Sequence, residues 1–127
     1  MKILLDTHAL LWFINGSSQL STDAKNLLES EVDLLLSIAS LWEIAIKTSL
    51  GKLTLPGIYG QFIPQQILQN EIEVLPIKLE HLTVIATLPL HHRDPFDRLL
   101  IAQEMVEKVS IVSIDVVFDS YSIDRIW

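Results

Sequence analysis

The chain has 127 residues, a formal net charge of −7, hydrophobic residues at half of its positions and no cysteine. That length and composition suit one domain over 1–127 with a real core, not a disordered chain. The missing cysteine excludes disulfides and thiolate metal sites. The acidic balance argues against gripping nucleic acid by the chain's own charge; such a partner would call for bound metal ions or a basic protein.

In chain order, 2–5 (KILL) reads as a short buried strand and 8–14 as a buried helix, with a loop at 15–18. Ser21 can cap a helix over 22–30 that turns Leu27 and Leu28 inward. Residues 32–36 form an apolar run of strand length, and a helix follows from 39 to 50. Its positions Leu41, Ile44, Ala45 and Thr48 recur at helical spacing, and Gly51 suits its stop. After a loop over 52–60, a helix is expected at 62–70 with Pro64 in its first turn. A strand at 73–77 is broken by Pro76, and a helix spans 79–88. A polar loop at 89–95 leads into a helix at 96–108 with an apolar stripe through Phe96, Leu99, Leu100, Ala102 and Val106. A buried strand at 109–114, a turn or short helix at 116–121 and a last strand at 123–127 complete the chain. Alternating strands and helices predict a three-layer α/β/α fold around a mostly parallel sheet.

No apolar run reaches the ~18 residues of a membrane span. The start, MKILLDTHALLWF, is interrupted by Asp6 and His8 and lacks a small-residue cleavage site, so it reads as mature structure in a cytoplasmic protein.

In an open parallel sheet, ligands gather beyond the carboxyl ends of the strands. Asp6 directly follows the first strand and Asp115 the strand at 109–114, with Thr7 beside one and Ser113 near the other. Glu43 interrupts the apolar stretch 41–46, and Asp97 sits in the first turn of the helix after 95. If those helices begin near the same sheet edge, the carboxylates converge, and a divalent ion would relieve their repulsion. Oxygen ligands of this kind suit Mg²⁺ or Mn²⁺ rather than zinc. Each acid also has a plainer role. Asp6 can cap the first helix and Asp115 the turn before Phe118, and Glu43 can pair with Lys47 one turn on. Asp94-Pro95-Phe96-Asp97 is a sound helix start, with Asp94 as cap.

Four segments together are specific: LLDTHALLW at 4–12, SIASLWEIAIK at 37–47, HHRDPFDRLLIAQ at 91–103 and IVSIDVVFDSYSIDRIW at 111–127. With them the chain resembles, over its whole length, a PIN domain, and within that family the VapC-type toxins of bacterial toxin–antitoxin pairs. The resemblance implies a PIN-like fold and a Mg²⁺- or Mn²⁺-dependent endoribonuclease. Its acidic, metal-holding and catalytic set carries over onto Asp6, Glu43, Asp97 and Asp115. Asp94 is the weaker match for the third acid, and Asp119 is the alternative for the fourth, a position that varies in the family. Thr7 and Ser113 would orient carboxylates or water. Arg98 matches the pattern and would contact phosphate or pair with an acid. His91, His92 and Arg93 would approach the RNA backbone or form a solvated loop tip. Trp12, Trp42 and Trp127 read as core or interface. The resemblance also implies an RNA substrate, a cognate antitoxin whose basic side chain enters the acidic site, and a homodimer served by apolar side chains near 21–50.

Two other readings remain. One is another α/β phosphohydrolase with Asp6 as nucleophile, which normally has a second acid two residues on, where this chain has His8. The other is a silent binding module in which the acids are only caps.

Overall fold

The computed structural model describes residues 1–127. Five strands form one sheet, β1 (Lys2–Leu5), β2 (Asp33–Ser37), β3 (Glu73–Leu75), β4 (Ser110–Val112) and β5 (Arg125–Ile126). Their order is β3-β2-β1-β4-β5 and every pairing is parallel. The sheet is therefore wholly parallel, where the sequence predicts a mostly parallel one. Parallel neighbours need crossovers, and six helices supply those from β1 to β4: α1 (Thr7–Asn15), α2 (Thr22–Leu28), α3 (Ile38–Ser49), α4 (Tyr59–Gln69), α5 (Leu79–Thr87) and α6 (Pro95–Glu107). A short 3₁₀ helix covers Val116–Ser120.

Alternation along the strands sorts the core into two layers. Ile3, Leu5, Leu34, Leu36 and Val112 face one side and pack with apolar residues of α1–α4. Leu4, Leu35 and Ile111 face the other and meet Leu100 and Ile101 of α6 with Phe118 and Tyr121. The central strand β1 is buried on both faces beyond its exposed first residue Lys2, which is why Ile3, Leu4 and Leu5 form an uninterrupted apolar run. From β1 the chain winds outward to β2 and β3; β4 and β5 then fill the opposite side. The sheet's topological switch point thus lies between β1 and β4, where such folds open a crevice at the carboxyl edge.

Some boundaries differ from expectation. β4 ends at Val112, so Ser113 and Ile114 separate it from Asp115. β3 stops before Pro76, which cannot donate to a ladder. α4 starts at Tyr59, not at 62, so Pro64 lies in the helix interior rather than in its first turn. Its exposed ring turns to solvent, and the helix there forgoes the N–H that would return to the Gly60 carbonyl. The earlier start is anchored where the Tyr59 hydroxyl donates to the Leu41 carbonyl at 2.8 Å.

Candidate active site

The switch-point crevice is a cleft of about 500 Å³ whose lining includes Asp6, Glu43, Asp94, Asp97 and Asp115. The four acids singled out from the sequence therefore do share one space. Each arrives on a different element. Asp6 is the residue after β1 and the N-cap of α1, where its Oδ1 accepts the Ala9 N–H at 2.7 Å. Its Oδ2 accepts from the hydroxyl of Ser113, which follows β4. Capping and site membership are thus compatible roles for one side chain.

Ser113 is fully buried and works in two directions: besides donating to Asp6, its Oγ accepts the backbone N–H of Asp115 at 3.0 Å. Asp115 in turn caps the 3₁₀ helix by accepting from Val117 N–H at 3.0 Å, yet its exposed side chain still lines the cleft. Asp119, the alternative, is held by both oxygens against Arg125 at 2.9 Å. That guanidinium holds its carboxyl below the usual range, and Asp119 is not among the lining residues.

Glu43 sits one and a half turns into α3 on its buried face. Its Oε1 accepts from the buried Thr7 hydroxyl at 2.7 Å, and its Oε2 pairs with Lys47 at 2.8 Å. The i,i+4 pair expected as the plainer alternative is present, inside the cleft rather than on open surface.

Asp97 stands in the first turn of α6, where Pro95 opens the helix and Asp94 caps it by accepting from the N–H groups of Phe96 (2.9 Å) and Asp97 (3.2 Å). Burial lifts its carboxyl to about 7, with further upward pushes from Asp94, Asp6, Asp115 and Glu43. Burial raises Asp6 too, opposed by its bonds to Ser113 and Ala9 and the charge of His8. Two carboxyls so displaced in one cleft mark a place where negative charge is under-compensated.

No three of these acids already meet at a single ligating point. Asp6 and Glu43 have their oxygens engaged by Ser113, Ala9, Thr7 and Lys47. The donor set nevertheless fits a hard divalent cation. It is all carboxylate oxygen, it surrounds one cleft, and such a cation would offset both the burial that chiefly lifts Asp97 and the smaller repulsion from its neighbouring acids.

The profile of the PIN domain matches residues 3–123. The chain belongs to the PIN domain family. Its five-stranded parallel sheet between helical layers is the PIN fold that the sequence led us to expect. Solved structures with this fold include VapBC2 of Rickettsia felis bound to a DNA fragment from its promoter (TM-score 0.74, 14% identity, 99% of this chain and 98% of that one). FitAcB of Neisseria gonorrhoeae is similar as well (0.72, 16%, 98% and 96%). So is a toxin–antitoxin complex from Klebsiella pneumoniae (0.66, 12%, 98% and 96%). No curated protein sequence is a significant match.

Around the acids of this PIN domain, the basic side chains divide by orientation. Arg98 turns back on the loop before its own helix, donating to the carbonyls of Leu88 (3.1 Å) and Pro89 (3.0 Å), with Tyr121 Oη at 3.5 Å. His92 is half-buried; its Nδ1 lies 2.9 Å from Tyr121 Oη and its Nε2 3.7 Å from Asp97 Oδ2. His91 stacks edge-on against Tyr121, and Arg93 is exposed. Trp42 is 59% exposed and meets Phe96 edge-on, while Trp12 packs edge-on against Trp127. Sequence reasoning missed His8, Trp12 and Lys47 as cleft-lining residues. The signal was available: on the helix that Asp6 caps, positions 8 and 12 lie one turn apart on one face.

Proposed function

We propose that this PIN domain is a Mg²⁺- or Mn²⁺-dependent endoribonuclease and the toxin of a toxin–antitoxin pair. The observation that carries the reading is the convergence of Asp6, Glu43, Asp97 and Asp115 on one cleft at the switch point, with Asp97 lifted to about 7. Those four carboxylates would hold the ion. When bound, it supplies positive charge to the phosphodiester and makes an attacking water more acidic. Ser113 and Thr7 keep the Asp6 and Glu43 carboxylates in place, so little reorganisation is needed when RNA arrives. Lys47 neutralises part of Glu43 until then.

The expected partners are RNA, an antitoxin and a second copy of the chain. The toxin–antitoxin complex among the similar structures supports the second of these. The −7 charge fits a protein covered by a basic segment when silent.

The test is a map of cleavage ends in total cellular RNA after brief induction. The wild-type chain is expected to produce a small set of discrete internal cuts, and Asp97→Asn none. Identical cuts from both proteins would contradict the assignment.

A further inference from the structure

We infer that the wall of the cleft formed by α1 and α3 is a subsite for single-stranded RNA, taking a phosphate on Lys52 and Lys47 and stacking a base on Trp12. This rests on the ribonuclease reading and deepens it. A second groove, of about 320 Å³, runs on from the acidic cleft and shares Thr7, His8, Trp12 and Lys47 with it. Beyond those it adds Leu11, Asn15, Lys52 and Leu53. The cations stand on one wall only: the side carrying Asp94, Asp97 and Asp115 has none, whereas on the α1–α3 side the carboxylates of Asp6 and Glu43 are accompanied by Lys47 and Lys52.

An RNA strand presents a charge at every nucleotide, so the nucleotide beside the one in the acidic cleft requires cations. The chain has nine Lys and Arg in all. Arg98 is spent on loop carbonyls, Arg125 on Asp119 and the Ser113 carbonyl, Lys78 on Glu107 and Lys2 on Glu73, and Lys47 is shared with Glu43 until a phosphate arrives; Lys25, Arg93 and Lys108 make no ion pair but line neither groove. Lys52 is exposed, makes no ion pair and sits at the groove. Its position is set by the end of α3, where Gly51 takes φ +70° and the N–H groups of Lys52 and Leu53 both return to the Lys47 carbonyl, at 2.9 and 3.2 Å. That turn fixes Lys52 next to Lys47.

Trp12 supplies the second element. Its ring is pinned edge-on by Trp127 at 5.8 Å and flanked by His8 at 5.7 Å, so it is a rigid platform at the junction of the two grooves. A fixed aromatic beside cations is the usual combination for holding single strands without reading sequence.

The experiment is anisotropy of a labelled single-stranded RNA in EDTA, which separates binding from cleavage. Wild type is compared with Lys52→Glu, Lys108→Glu and Trp12→Leu. Lys108, at the C-terminal end of α6, carries the same charge change on the opposite edge of the sheet. Lys52→Glu should weaken binding about tenfold and flatten the log K against log salt slope by about 0.7 per lost phosphate contact, with Lys108→Glu near wild type. Trp12→Leu should weaken binding about tenfold with the slope unchanged; should it unfold, the two lysine variants decide. Equal loss in Lys52→Glu and Lys108→Glu would show a general charge effect and overturn the subsite. So would wild-type affinity in Lys52→Glu, the result expected if the groove serves a protein partner instead. Mn²⁺-dependent cleavage by the wild type, assayed in parallel, isolates the two claims: cleavage with either of those results sinks the subsite and spares the nuclease. A wild type that neither binds nor cleaves RNA sinks both.

Discussion

Thr7 and Glu43 are joined by a buried hydrogen bond of 2.7 Å, from the hydroxyl that opens α1 to a carboxylate in α3, 36 positions on. With Lys47 on the other oxygen, the Glu43 carboxylate is held at both ends. Thr7→Val keeps the shape of the side chain and removes the donor. We expect about a 10- to 100-fold loss in cleavage or in Mn²⁺ affinity, the usual effect of removing such support. A Mn²⁺ titration of the cleavage rate reads it; an unchanged curve would mean that Glu43 needs no help from Thr7.

Asp97 gives the site a pH dependence. Its ordinary value is 3.8 and the fold lifts it to about 7, so the folded protein holds that proton more tightly than the unfolded chain. Its stabilising contribution is intact below 3.8 and is lost as pH rises through about 7. A divalent ion needs the ionised carboxylate. The increase in melting temperature on adding Mn²⁺ should therefore be larger at pH 8 than at pH 6. Asp97→Asn should shrink that difference and lessen the slope of the metal-free profile, Asp6 and Glu104 keeping their own shares. Equal Mn²⁺ shifts at both pH values would remove Asp97 from the ion's ligands.

Glu104 offers the same test away from the cleft. It is 2% exposed, accepts the Asp124 N–H at 3.1 Å, and leaves Oε2 buried without a partner. Burial lifts it from 4.5 to about 8. The sign matches that of Asp97: stability is present below 4.5 and lost as pH rises through about 8. Glu104→Gln keeps an acceptor for Asp124 and should flatten thermal stability across that window while leaving cleavage at the wild-type rate. Superimposable wild-type and Glu104→Gln profiles would show that the burial of this charge carries no penalty.

Much of this was legible in the chain. The runs at 3–5 and 34–36 are continuous and the stripe of α6 is periodic, and these signals place their elements to within a few residues. Asp6 was legible because a charge directly after a buried strand needs a reason. What the sequence hides is contact at long separation. Ser113 reaches Asp6 across 107 positions, and no local pattern encodes it. Orientation is hidden too. The Arg98 side chain reads as available to phosphate, yet open carbonyls at the end of α5 capture it. α4 starts three residues before the expected position because Pro64 signals a first turn, while the Tyr59 hydroxyl bond to Leu41 that anchors the true start is tertiary.

Arg98 yields a prediction of its own. A lysine cannot fork between the carbonyls of Leu88 and Pro89. Arg98→Lys should lower stability by about 1.5–3 kcal/mol, as expected for loss of hydrogen bonds from a charged donor. Urea unfolding midpoints read it. An unchanged midpoint would show that the clamp adds nothing to the fold.

Above all, the four carboxylates are proposed to act as one metal-dependent site. The decisive quantity is the cleavage rate of a labelled single-stranded RNA after EDTA stripping and graded return of Mn²⁺, for wild type and Asp6→Asn. The expected result is no cleavage in EDTA, recovery of the wild type with Mn²⁺, and no recovery of Asp6→Asn. Cleavage that persists in EDTA, or wild-type rates in Asp6→Asn, would contradict a metal site built on these acids.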